Sequence, residues 1–148
     1  MKNTLGYRMA DNSRMLRRLF DERVRGLGLT APQARLLVSL DLHPGENQAF
    51  YADRLEVEPI TLTRMVDRME EAGWVQRRPN PADRRARLLS LTTKSQNIVA
   101  QLEAIIDRLF EDMQAGLTEE ERVTFGRLLD RVGANIVAAK EPEVAHHG

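Results

Sequence analysis

Five arginines, Arg77, Arg78, Arg84, Arg85 and Arg87, fall within eleven residues, and only Asp83 opposes them. A guanidinium stays charged at physiological pH, binds phosphate through two parallel hydrogen bonds and fits a narrow groove of high negative potential. So dense a cluster, with few apolar neighbours to make it core, implies a polyanionic partner; the competing reading is a solvated charged hairpin. Asp83 would repel phosphates, so its carboxylate either holds the local turn through backbone bonds or orients Arg85 by a charge-assisted bond. A second group stands upstream, where Thr61, Thr63 and Arg64 follow Pro59, with Asp67 and Arg68 one turn later. On a helix entering a major groove, Arg64 reaches guanine O6 and N7, while the threonines bond phosphates or touch a thymine methyl. The competing reading is an ordinary surface helix, and for Arg68 both readings stay open.

The rest of the composition narrows the classes. The 148 residues include 22 basic and 22 acidic side chains, 42% hydrophobic residues and no Cys. Cancelling charges and an ample apolar fraction imply one globular domain over residues 1–148. Neutrality hides an asymmetry: residues 61–94 carry eight basic and four acidic groups, residues 95–148 five and ten. Nearby charge sets the local potential, so the middle segment can face a polyanion. Without Cys there is no disulfide, thiolate metal site or cysteine nucleophile. The chain has no phosphate-cradling glycine loop, no G-x-S-x-G and no catalytic ligand cluster, so no enzyme activity, cofactor or metal is expected. Ser39, Asp41 and His43 stand two apart on one helix end, whereas triad members converge from separate segments. His146 and His147 lie in a tail without periodicity, expected to be loose. No apolar run approaches the ~20 residues that span a bilayer, and the N-terminus lacks a signal-like stretch, so a cytoplasmic protein without membrane contact is expected.

The elements follow from periodicity. Met9, Leu16, Leu19, Phe20 and Val24 predict an amphipathic helix over about residues 4–25, ended by Gly26 and Gly28. Thr30 and Gln33 match a capping box opening a second helix, and His43-Pro44-Gly45 reads as a turn. A short helix over 48–55, the turn Glu56-Val57-Glu58 and a helix over 59–72 have the spacing of a helix-turn-helix. Gly73 then permits a strand over 74–78, which Pro79-Asn80-Pro81-Ala82-Asp83 is expected to break, and Leu89 and Leu91 share a face of the returning strand. Ile98, Leu102, Ile105, Leu109 and Met113 mark a long helix; after a capping box at Thr118 and Glu121, Phe125, Leu129, Val132 and Ile136 mark another. The predicted class is mainly α with a small β hairpin (α+β): a winged helix-turn-helix over about 30–92, flanked by dimerisation helices over about 4–25 and 93–139. A winged helix of some 60 residues is too small to cover every terminal stripe, which argues for a homodimer and a pseudo-palindromic target.

The run Asp83-Arg84-Arg85-Ala86-Arg87-Leu88-Leu89-Ser90-Leu91-Thr92 resembles the wing motif of the MarR (multiple-antibiotic-resistance regulator) family of winged-helix transcription factors, close to its SlyA-like branch. The run from Leu62 to Val75 is similar to that family's recognition helix and following strand, with Trp74 where an aliphatic residue is usual. The resemblance covers about residues 5–138. It implies a homodimeric regulator, usually a repressor, of double-stranded DNA. Arg64 would then be a major-groove contact, Arg85 a minor-groove contact and Asp83 its brace. It also implies release by a small aromatic carboxylate or phenol, for which Arg14, Arg17 and Arg18 could supply charge and Tyr7 or Phe20 a stacking face. Ala34 and Val38 could line the same cleft. The rival class is a winged helix used for protein contacts, separable by the steep salt dependence of DNA binding.

Overall fold

The computed structural model describes residues 2–140. Along the chain come α1 (Leu5–Arg23), α2 (Ala31–Leu42), α3 (Gln48–Leu55), α4 (Pro59–Glu71), β1 (Val75–Asn80), β2 (Asp83–Leu91), α5 (Ser95–Met113) and α6 (Glu119–Ala138). The tail with its two histidines lies outside the described residues.

Local chemistry sets the helix ends. The Thr30 hydroxyl accepts the Gln33 N–H at 3.2 Å while the Gln33 side chain accepts the Thr30 N–H at 3.0 Å, and Thr118 and Glu121 repeat the box at 3.1 and 2.9 Å. Each side-chain cap contributes about 1 kcal/mol by satisfying donors that the first turn leaves free. At the end of α4, Gly73 adopts φ +82°, a region closed to most side chains. The Thr92 hydroxyl donates to the Gly73 carbonyl and the Lys94 ammonium to the Ala72 carbonyl, fastening the end of α4 to the start of α5. The Lys94 ammonium also sits 4.7 Å from the centre of the Trp74 ring, so the indole has a cation–π partner here.

Of the described residues, 2–110 form one compact unit and 111–140 another. In the first, Leu36, Leu37 and Leu40 of α2 share a core with Tyr51, with Leu62, Val66 and Met69 of α4, with Val75 and Leu89 of the hairpin, and with Val24. The α5 stripe joins this core through Ile98, Leu102 and Leu109, so most of it is covered within the chain. In the second unit α6 buries none of its side chains: Phe125, Leu129, Val132 and Ile136 are 39–58% exposed along one line.

The hairpin differs from expectation. The segment 79–83 does not break β1, which runs on to Asn80, and β2 already begins at Asp83. Pro79 stands opposite Arg87 in the register Val75↔Leu91. Proline is tolerated because β1 is an edge strand whose outward N–H groups need no partner. The far side of β2 is partly occupied: the Leu89 N–H donates to the Glu46 carbonyl at 3.0 Å, and Asn47 bridges to Leu88.

Candidate nucleic-acid interface

The approach to α4 is shaped by Glu56, whose left-handed φ of 54° ends α3 while the Val57 N–H donates back to the Ala52 carbonyl at 3.0 Å. Helical periodicity then turns Leu62, Val66 and Met69 into the core and leaves Thr61, Arg64 and Arg68 exposed. Thr63 is half-buried. Its hydroxyl donates to the Pro59 carbonyl at 3.0 Å and accepts from the Gln48 amide at 3.3 Å.

The wing tip is shaped by two side-chain-capped turns. Asn80 accepts the Ala82 N–H at 2.9 Å and Asp83 accepts the Arg85 N–H at 3.0 Å. Asp83 thus takes the backbone role of the two open to it, holding the chain where Arg85 emerges. Between the pairs Pro79↔Arg87 and Asn80↔Asp83, residues 84–86 of β2 have no partner across the ladder, an irregularity that frees this stretch from the regular pleat. Arg84, Arg85 and Arg87 are exposed, and among the described residues none of the three has an ion pair.

Arg77 behaves otherwise, and its place in the arginine cluster needs correcting. Only 18% of its side chain is exposed, and its guanidinium meets Asp67 at 2.6 Å, Glu70 at 3.0 Å, the Gln48 side chain at 2.9 Å and the Thr63 carbonyl at 3.4 Å. Glu70 also accepts the Arg77 backbone N–H at 3.1 Å. Arg77 is therefore an internal strut joining the base of the wing to α3 and α4, and it neutralises two carboxylates on α4. Sequence reasoning missed this because Asp67 and Glu70 lie on another element, ten and seven residues before Arg77; their i, i+3 spacing on one face was the available signal.

The three α1 arginines separate. Arg17 lines a cleft of about 600 Å³ within the first unit, with Phe20 and Val38, and pairs with Glu56 at 3.7 Å. Arg14 instead meets Asp11 at 3.3 Å; neither it nor Arg18 lines the cleft, and both are exposed. Ala34 is fully buried in the core rather than lining the cleft, and Tyr7 is exposed.

The arrangement combines a hairpin tip whose arginines have no ion pair among the described residues with a helix that exposes Thr61 and Arg64 near its start. A family model described as MarR family matches residues 29–86, which contain α2, α3, α4 and the tip. The structure of wild-type MarR from E. coli without ligand is 32% identical to this chain, covers 89% of it and 98% of its own length, and superposes with a TM-score of 0.74. The chain belongs to the MarR family. Transcriptional regulator PA3341 gives 33% identity, 90% and 98% coverage and a TM-score of 0.80. A variant of E. coli MarR complexed with operator DNA gives 32% identity, 86% and 92% coverage and a TM-score of 0.69. MarR-family membership places this chain among transcriptional regulators and not among enzymes. Among the described residues of this MarR-family chain, no helix is long and apolar enough to cross a membrane.

Proposed function

We propose that the chain is a sequence-specific regulator, a repressor, that binds a pseudo-palindromic operator in double-stranded DNA as a homodimer. The observation that carries the reading is the division among its arginines: Arg77 is compensated inside the fold, whereas Arg84, Arg85 and Arg87 at the tip and Arg64 on α4 are exposed and have no anionic partner among the described residues. Arg64 reads a base pair in the major groove, with Thr61, Thr63 and Arg68 beside it. Arg85 enters the neighbouring minor groove with Arg84 and Arg87 on the backbone, and Asp83 fixes the turn from which they project. The exposed stripe of α6, with α1, forms the dimer contact, which sets two recognition helices about 34 Å apart. A small aromatic ligand held in the α1–α2–α5 cleft, with Arg17 at its side, releases the DNA. The operator complex of the E. coli relative supports the DNA partner.

Selection of bound sequences from random duplexes, followed by salt titration, tests this reading. Affinity should fall linearly on a double-logarithmic salt plot with a slope near the number of phosphates neutralised; a folded chain with no duplex affinity at low salt would refute it. Arg85→Ala should weaken binding and flatten the slope by about one unit, as one lost backbone or groove contact does. An unaltered slope would remove Arg85 from the interface. Arg64→Ala should cost about 1–3 kcal/mol on the best operator and relax preference at one base pair per half-site. A uniform loss across all sequences would make Arg64 a backbone contact.

A further inference from the structure

The cleft that Arg17 lines is open to α1, α2, α3 and α5, and its apolar wall includes Leu16, Phe20, Val38, Val99, Leu102 and Ile106. At about 600 Å³ it has the size of a site for a fused aromatic ring system. Ser39 is 8% exposed and lines this cleft, yet its hydroxyl has no hydrogen-bond partner among the described residues. A buried hydroxyl without a partner is unusual and is satisfied when a guest supplies one.

Charge indicates which guest. Asp41 at the end of α2 and Glu103 and Asp107, one turn apart on α5, line the same cleft. The Asp41 carboxyl, through a hydrogen bond and through its charge, holds the Glu103 carboxyl above the usual carboxylate range, with a smaller push from Asp107. Three arginines also line the cleft, but two are matched from outside it: Arg35 meets Asp21 at 2.6 Å and Arg17 meets Glu56 at 3.7 Å, and neither acid lines the cleft. Arg54 stands 5.7 Å over the Phe50 ring. The three carboxylates have no such counter-ion among the described residues. Arg54 keeps its charge there, so one cation stands against three unpaired carboxylates; the surplus at this rim is still negative, and a carboxylate guest would meet it unfavourably.

We propose that the cleft binds a lipophilic organic cation, an aromatic ring system bearing a protonated amine, rather than an aromatic carboxylate. The ring lies among Leu16, Phe20, Val38 and Ile106; the ammonium faces Asp41 and Glu103, with the Ser39 hydroxyl accepting one of its N–H groups. The proposal concerns binding and stands apart from DNA release, for which alone it rests on the function proposed above.

Calorimetric titration of the full chain at low ionic strength with 1-naphthylmethylammonium, 1-naphthylacetate and 1-naphthalenemethanol, which share a ring and differ in charge, tests it. The cation should bind at least tenfold more tightly than the carboxylate. The paired substitution Asp41→Asn, Glu103→Gln, at exposed positions where folding is preserved and checked by circular dichroism, should weaken the cation at least tenfold and leave the alcohol within about twofold. Equal or tighter binding of the carboxylate, no binding of the cation, or a cation affinity untouched by the pair would overturn the proposal. Duplex binding is followed separately by anisotropy: a cation that binds as described without loosening DNA upholds the site and sinks only the release step. Absence of duplex binding by the free chain sinks the DNA reading and leaves the titrations to decide the site.

Discussion

Arg77→Met is expected to weaken operator binding about a hundredfold while leaving the exposed arginines of α4 and the wing tip in place. The side chain removed bonds to Asp67, Glu70, Gln48 and the Thr63 carbonyl. Charge-assisted bonds contribute about 1.5–3 kcal/mol each where partners are shielded. Asp67 and Glu70 are half-exposed, so the loss in folding stability should be discounted to about 2 kcal/mol in total. Operator affinity suffers more, because two carboxylates next to the exposed arginines of α4 lose their counter-ion and face phosphates directly. Arg77→Lys restores the charge but not the forked geometry and should recover only part of the affinity. Combining Arg77→Met with Asp67→Asn and Glu70→Gln removes the repulsion; anisotropy measurements should then show most of the hundredfold loss regained. If the triple variant binds as poorly as the single one, positioning of the wing rather than charge dominates. An Arg77→Met chain that binds like the parent would refute both.

If α6 forms the proposed dimer contact, Leu129→Asp should abolish dimerisation and operator binding together. Leu129 lies in the middle of the α6 line that also holds Phe125, Val132 and Ile136, all exposed in the single chain. Burying an unpaired carboxylate at that line costs several kcal/mol, enough to shift a dimer to monomer at micromolar concentration. Two half-sites read by one rigid dimer gain affinity through each other, so the monomer should bind the whole operator at least a hundredfold more weakly. Sedimentation and anisotropy on one preparation check this. A monomer with undiminished operator affinity, or an unchanged dimer, would show that α6 is not the contact.

The helices were legible because their signals are local. Capping boxes at Thr30 and Thr118, the left-handed Gly73 and the apolar steps along α5 each involve neighbours within one or two turns. The exposed tip arginines were legible for the same reason, since a charged run with no apolar purpose has few places to go. What the sequence hid depends on residues far apart. The partners of Arg77 come from 7 to 29 positions away, so its burial could not be separated from the exposure of Arg78 or Arg85. Pro79 read as a strand breaker because edge position is a property of the assembled sheet. Arg14 and Arg18 are equivalent to Arg17 in sequence, and only the packing of α1 decides which of them lines a cleft.

Pro79 has one more effect, on how such molecules behave side by side. Operators crowd bound proteins together, and an extended ribbon with a bare outer margin invites a neighbour's ribbon to zip onto it. Here that margin holds a proline opposite Arg87, with the charged Arg78 beside it, while the opposite margin of the ribbon is shielded near Leu88 and Leu89 by the chain before α3. The flap can stay long and rich in exposed arginine without becoming a seed for fibres.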